Sequence, residues 1–123
     1  MAARTVLLVD DDPLIGETLR ELLPWREVKL ESTANADEAI DCLEQHSYCG
    51  VVLNLELANG GGRRILRHLA DLHTGVPVVL ISSSIPEWLR DLPNVDDIKL
   101  VMTPPFEPSL LASMILGLCG VER

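Results

Sequence analysis

Apolar and polar positions along this chain fall into blocks that switch between two periods. Residues 4–10 (RTVLLVD) form a short continuous apolar run, the pattern of a strand covered on both faces. Residues 12–23 (DPLIGETLRELL) change to helical spacing. Ile15, Leu19 and Leu22 recur on one side, Leu23 widens the stripe, Asp12 is placed to cap and Pro13 to open the first turn. Pro24 ends that helix. Residues 28–33 (VKLEST) alternate, as an edge strand with one wet face does. Residues 35–45 (NADEAIDCLEQ) open with Asn35 three positions before Glu38, a variant of the capping box, and turn Ala39, Ile40 and Leu43 inward. The pattern continues with a strand at 50–54 (GVVLN), a helix at 63–72 (RRILRHLADL) and a strand at 76–82 (VPVVLIS). A short helix at 86–92 (PEWLRDL) is cut off by Pro93, and a strand at 98–102 (IKLVM) leads to a closing helix at 107–118 (EPSLLASMILGL).

Five strands alternating with five helices through short loops predict one α/β domain over residues 1–123. Its sheet is parallel with helices on both faces, because parallel neighbours need crossover connections and these are right-handed. In such sheets ligands bind beyond the carboxyl ends of the strands, so those ends are where chemistry is expected.

Composition narrows the classes. With 10 basic and 19 acidic side chains the chain carries a formal charge of −9, which argues against sequence-independent nucleic-acid binding and against docking on anionic membranes. No apolar run approaches the roughly 20 residues of a membrane span, and the opening run is too short for a signal peptide, so a soluble cytoplasmic protein is the default expectation. Cys42, Cys49 and Cys119 are odd in number and lack metal-ligand spacing; they read as small apolar residues in a reducing compartment.

The first strand runs into Asp10, Asp11 and Asp12, and the third into Asn54 with Glu56 just beyond. The fourth ends in Ser82, Ser83 and Ser84, and the fifth in Thr103, Pro104 and Pro105. Asp12 is explained as a helix cap, but Asp10 and Asp11 are not. Adjacent carboxylates repel unless solvated, protonated or bridged by a cation, and a hard divalent ion such as Mg²⁺ suits them.

These segments resemble, over essentially the whole chain, the receiver domain of two-component response regulators. The resemblance is carried by VLLVDDDPLIGETLRELL, VVLNLELANGGGRRILRHL, VPVVLISS and TPPFEP, whose separations fit without a gap. It implies a flavodoxin-like, doubly wound sheet in the order 2-1-3-4-5 and a phosphoryl-accepting aspartate ending strand three. It also implies an acidic pair holding Mg²⁺, and a Ser or Thr and a Lys binding the phosphoryl oxygens. Asp10 and Asp11 match the acidic pair, Ser82 the hydroxyl, and the backbone carbonyl of Glu56 would lie at the metal.

Elsewhere the pattern breaks. Asn54 stands at the acceptor position, Pro104 at the lysine position, and Val101 where an aromatic often stands. A carboxamide is a poor nucleophile toward phosphorus and a weaker Mg²⁺ ligand than a carboxylate. Proline offers neither ammonium nor N–H. Three aspartates with one lysine carry a formal −2; Asp10 and Asp11 beside neutral Asn54 and Pro104 carry the same, so the two losses compensate. The expectation is a degenerate receiver, not an enzyme, with no required cofactor and at most weak Mg²⁺ binding. Two alternatives stand beside it: a phosphoacceptor using Asp10 or Asp11 with Mg²⁺, and a small-molecule or nucleotide sensor with the NGGG loop at 59–62 as lid.

The closing helix suggests the output. Leu110, Leu111, Met114, Ile115 and Leu118 fill one stripe and are expected to face the core, leaving Ala112, Leu116 and Cys119 outside. An uncharged outer face predicts a cover. The resemblance implies that the surface of the fourth helix, fifth strand and fifth helix meets partners, so Val101, Ala112, Leu116 and Cys119 are the expected contacts. The occupant would be a second copy, a histidine kinase or an output domain absent from this chain.

Overall fold

The computed structural model describes residues 4–121. Five parallel strands, β1 (Arg4–Val9), β2 (Val28–Thr33), β3 (Gly50–Asn54), β4 (Val78–Ile81) and β5 (Ile98–Met102), lie in the order β2-β1-β3-β4-β5. The α-helices are α1 (Pro13–Leu22), α2 (Ala36–Gln45), α3 (Gly61–Leu72) and α4 (Pro108–Leu118). A parallel sheet covered on both faces is what the alternation of periods predicts, and the doubly wound, flavodoxin-like order is the one the resemblance implies.

The strand pleat sorts the core. Leu7, Val9, Val51, Leu53, Val78 and Leu80 point to one side and pack with α2 and α3 residues such as Ala39, Leu43, Ile65 and Leu69. The intervening Val6, Leu8, Val52, Val79 and Ile81 point to the other and meet Leu19 of α1 with Leu111 and Ile115 of α4. Both faces of the central strands are therefore covered, which is why they read as unbroken apolar runs.

Local signals set the helix starts. Asp12 accepts from the Leu14 N–H at 3.0 Å and Asn35 from the Glu38 N–H at 2.9 Å, so each satisfies a donor that the first turn leaves unpaired. The segment PEWLRDL forms a 3₁₀ turn, Glu87–Asp91, followed by a second at Val95–Asp97. Pro86 and Pro93 enclose too few residues to nucleate an α-helix, so four α-helices, not five, are present among the described residues.

The closing helix is rotated from the expected setting. Leu111, Ala112, Ile115 and Cys119 are buried, while Leu110 is 52% exposed. Ala112 and Cys119 are therefore core residues and not part of an outer contact face. The cysteines also need correction: Cys49 and Cys119 form a disulfide across 70 residues of sequence, and Cys42 alone is free. Among the described residues no helix is long and apolar enough to cross a membrane.

Candidate functional site

Where β1, β3, β4 and β5 end, a cleft of about 420 Å³ opens, lined by Asp10, Asp12, Asn54, Glu56, Ser83 and Pro104 among others. A hollow of about 500 Å³ lies among the loops around Gln45–Tyr48 and Thr74–Pro77, at the strands' other ends. Its lining carries one carboxylate, Glu44, where the cleft has Asp10, Asp12 and Glu56.

Parallel register brings the cleft together. Val9 pairs with Leu53 and Asn54 with Ile81, so residues just beyond these positions emerge side by side. Asp10 is fixed by its N–H donating to Thr33 O at 3.1 Å. Its Oδ1 accepts from the Asp12 N–H at 2.9 Å and from the Asn54 carboxamide at 3.2 Å. Asn54 Oδ1 in turn accepts from the Glu56 N–H at 2.9 Å. The carboxamide is thus a tie between Asp10 and the β3–α3 loop: its amide protons meet the carboxylate and its oxygen is turned toward main chain.

Ser82 is buried and donates to Ser84 O at 2.6 Å, which commits its only hydroxyl proton locally. Asp11 and Pro104 are exposed, and the Pro104–Pro105 peptide is cis. Val101 is half-buried on β5. Of the residues singled out in the sequence, Asp10, Asn54, Glu56 and Pro104 line this cleft, whereas Asp11, Ser82 and Val101 are not among its lining residues.

The side chain of Glu56 carries a role that the sequence reading leaves out. Its Oε1 accepts a short hydrogen bond from the Ser83 N–H and lies 3.5 Å from Ser82 Oγ. The Ser83 N–H first, and the Ser83 side chain next, hold the Glu56 carboxyl below its ordinary pKa against a smaller desolvation effect. The chain's own carboxylate thereby occupies the Ser83 N–H at the end of β4. No local sequence signal marks it: the pairing of Asn54 with Ile81 in the folded sheet is what brings residues 56 and 83 level.

The donor set does not fit a divalent ion as it stands. Among the described residues no three carboxylate, imidazole or thiol groups converge. Asp10 Oδ1 is taken by two N–H donors, and Asn54 presents N–H to it in place of a ligating oxygen. No chemical step is assigned to a metal here.

Two arginines of α3 have partners within the chain. The Arg63 guanidinium stacks 4.7 Å above the Trp88 ring, and Arg64 pairs with Asp37 at 2.6 Å on the surface.

Comparison with known proteins agrees with this geometry. The family model of the response regulator receiver domain matches residues 6–103. The cell cycle response regulator CtrA of Brucella ovis is 28% identical over 113 residues, covering 89% of this chain and 47% of that protein. The chain thus spans about half the length of the curated relatives it matches. Among solved structures, the non-phosphorylated HemR receiver domain from Leptospira biflexa superposes with a TM-score of 0.78 at 21% identity, covering 98% of this chain and 97% of that one. A CheY-like receiver domain from Methanospirillum hungatei gives 0.77 at 19%, covering 95% and 94%. At these identities the structural likeness speaks to fold.

Proposed function

The chain belongs to the response regulator receiver domain family of two-component signalling, and from that premise we propose that it signals without a phosphoryl group at position 54. The observation that carries this reading is the engagement of Asn54: a neutral carboxamide, hydrogen-bonded to Asp10 and to the Glu56 N–H, stands where the resemblance puts a nucleophile. Pro104 supplies no cation to balance phosphoryl charge, and Glu56 already holds the Ser83 donor. The domain then works as a cytoplasmic protein-interaction module, needs no Mg²⁺ and performs no catalysis of its own.

Receiver domains exchange signals with histidine kinases and output domains. For this chain the contact face is the α4 side, where Leu116 is half-buried and Leu110 is exposed; Val101 of β5 is half-buried on the other sheet face. Its partner is an output domain or a second copy of the chain.

Incubation with Mg²⁺ and acetyl phosphate, followed by intact-mass measurement, tests the central point. No adduct is expected on the wild-type chain, while the double variant Asn54→Asp/Pro104→Lys, with both missing groups restored, is expected to gain one. A stable phospho-adduct on wild type that maps to Asp10, Asp11 or any residue of the cleft would overturn the proposal.

A further inference from the structure

The disulfide lies at the opposite end of the sheet from the cleft. Cys49 immediately precedes β3, its N–H donating to Thr5 O at 2.9 Å, and it is half-buried. Cys119 caps the C-terminus of α4 and is 4% exposed within the cluster shared by α1, α4 and one sheet face. The two Cα atoms are 4.9 Å apart.

What holds α4 down makes this link consequential. The helix has no charged residue from Pro108 to Val121, and among the described residues no side chain caps its N-terminus. Its last turn closes through the Gly120 N–H to Gly117 O at 3.2 Å and the Val121 N–H to Leu116 O at 2.9 Å, with Gly120 at φ 71°. Among the described residues, apolar contact and the disulfide are therefore what attaches this turn to the sheet.

Both oxidation states fit the site. Once reduced, the Cys49 thiol has an acceptor ready, because its Sγ lies 3.3 Å from Thr5 O. A neutral Cys119 thiol is at home among aliphatic side chains. Cys42 does not compete: it packs with the cluster on the other sheet face, and burial pushes its thiol pKa up.

From this arrangement we propose that Cys49 and Cys119 form a reversible thiol–disulfide latch on the C-terminal turn of α4, opened by a dithiol reductant. A reductant thiolate attacks the more accessible sulfur, Cys49 Sγ, forming a mixed disulfide and expelling the Cys119 thiolate, which takes a proton. The reductant's second thiolate then attacks its own sulfur in the mixed disulfide and releases Cys49, which is protonated in turn. Two electrons and two protons pass to the protein, and the reductant leaves as its disulfide. In a reducing compartment the open form is favoured, and oxidation closes the latch. Control of partner binding by this latch rests on the contact face proposed above; the latch itself does not.

The full chain, kept in air or treated with dithiothreitol, is alkylated with N-ethylmaleimide, weighed intact and followed by hydrogen exchange. One modified thiol is expected in air and three after reduction, out of the three cysteines present. Reduction is expected to speed exchange at the α4 C-terminal amides by about tenfold or more and to lower Tm by about 10 °C, with oxidised glutathione reversing both. Cys119→Ser should behave as the reduced form in either condition, and Cys42→Ser should respond to reduction as wild type does. Three modified thiols after oxidation, or α4 exchange unaffected by reduction, would overturn the latch. The acetyl phosphate assay, repeated in both states, reads the phosphorylation-independent reading separately.

Discussion

Replacement of Gly62 by alanine puts the junction between β3 and α3 under direct test. A Cβ at this position would lie 2.8 Å from both the carbonyl carbon and the Cα of Leu55, and closer still to the Leu55 oxygen, where ordinary contact begins at 3.4 Å. All three are main-chain atoms, so no rotamer change relieves the clash. The loop is also held from the far side by the Leu55 N–H donating to Ile81 O at 2.9 Å. Overpacking of this kind costs about 1–3 kcal/mol, and a backbone obstacle places Gly62→Ala at the upper end. For a domain of this size about 4 °C of Tm accompanies each kcal/mol, which predicts a fall of about 8–12 °C. Gly117→Ala supplies the contrast. That residue sits inside α4 with nothing near its would-be Cβ, so the helical preference for alanine should raise stability by about 0.5–1 kcal/mol. Calorimetric melts with matched urea titrations measure both. If Gly62→Ala melted within a degree of wild type, the proposed packing of α3 against the end of β3 would be wrong. Because Asn54 and Glu56 flank Leu55, a displaced loop should also shift the Ser83 amide resonance.

Two further outcomes are expected. Asn35→Ala removes the oxygen that receives the Glu38 N–H and should cost about 1 kcal/mol in urea titration, whereas Asn35→Asp should retain most of it; equal stability of all three would refute the cap. Tyr48, the only tyrosine, has its phenol pKa pushed well above the ordinary value of about 10 by burial first and by its hydrogen bond to Glu31 next. A raised folded pKa means that this stabilisation is complete below about pH 10 and declines as pH rises beyond it. Absorbance at the phenolate band should therefore stay low above pH 10 until the chain unfolds; ordinary titration in the folded state would contradict the burial.

Much of this protein is legible along the chain because the governing interactions are local. Asp12 and Asn35 cap donors two or three residues away. Alternation through Val6, Leu7, Leu8 and Val9 already divides the core into two sides. The acidic pair, Asn54, Ser82 and Pro104 fall at strand ends, where a parallel α/β sheet gathers its chemistry. Three features depended on the assembled fold. The rotation of α4 differs from the expected one: periodicity put Leu110 in the core and Ala112 outside, but on a helix apolar all round packing selects the reverse. The Glu56–Ser83 hydrogen bond links residues 27 apart and exists only because β3 and β4 lie in one particular register. The Cys49–Cys119 bond spans 70 residues and requires both the sheet order and that same helix rotation. Short-range patterns specify which elements form; register and rotation are set by packing between elements, and they decide which distant side chains meet.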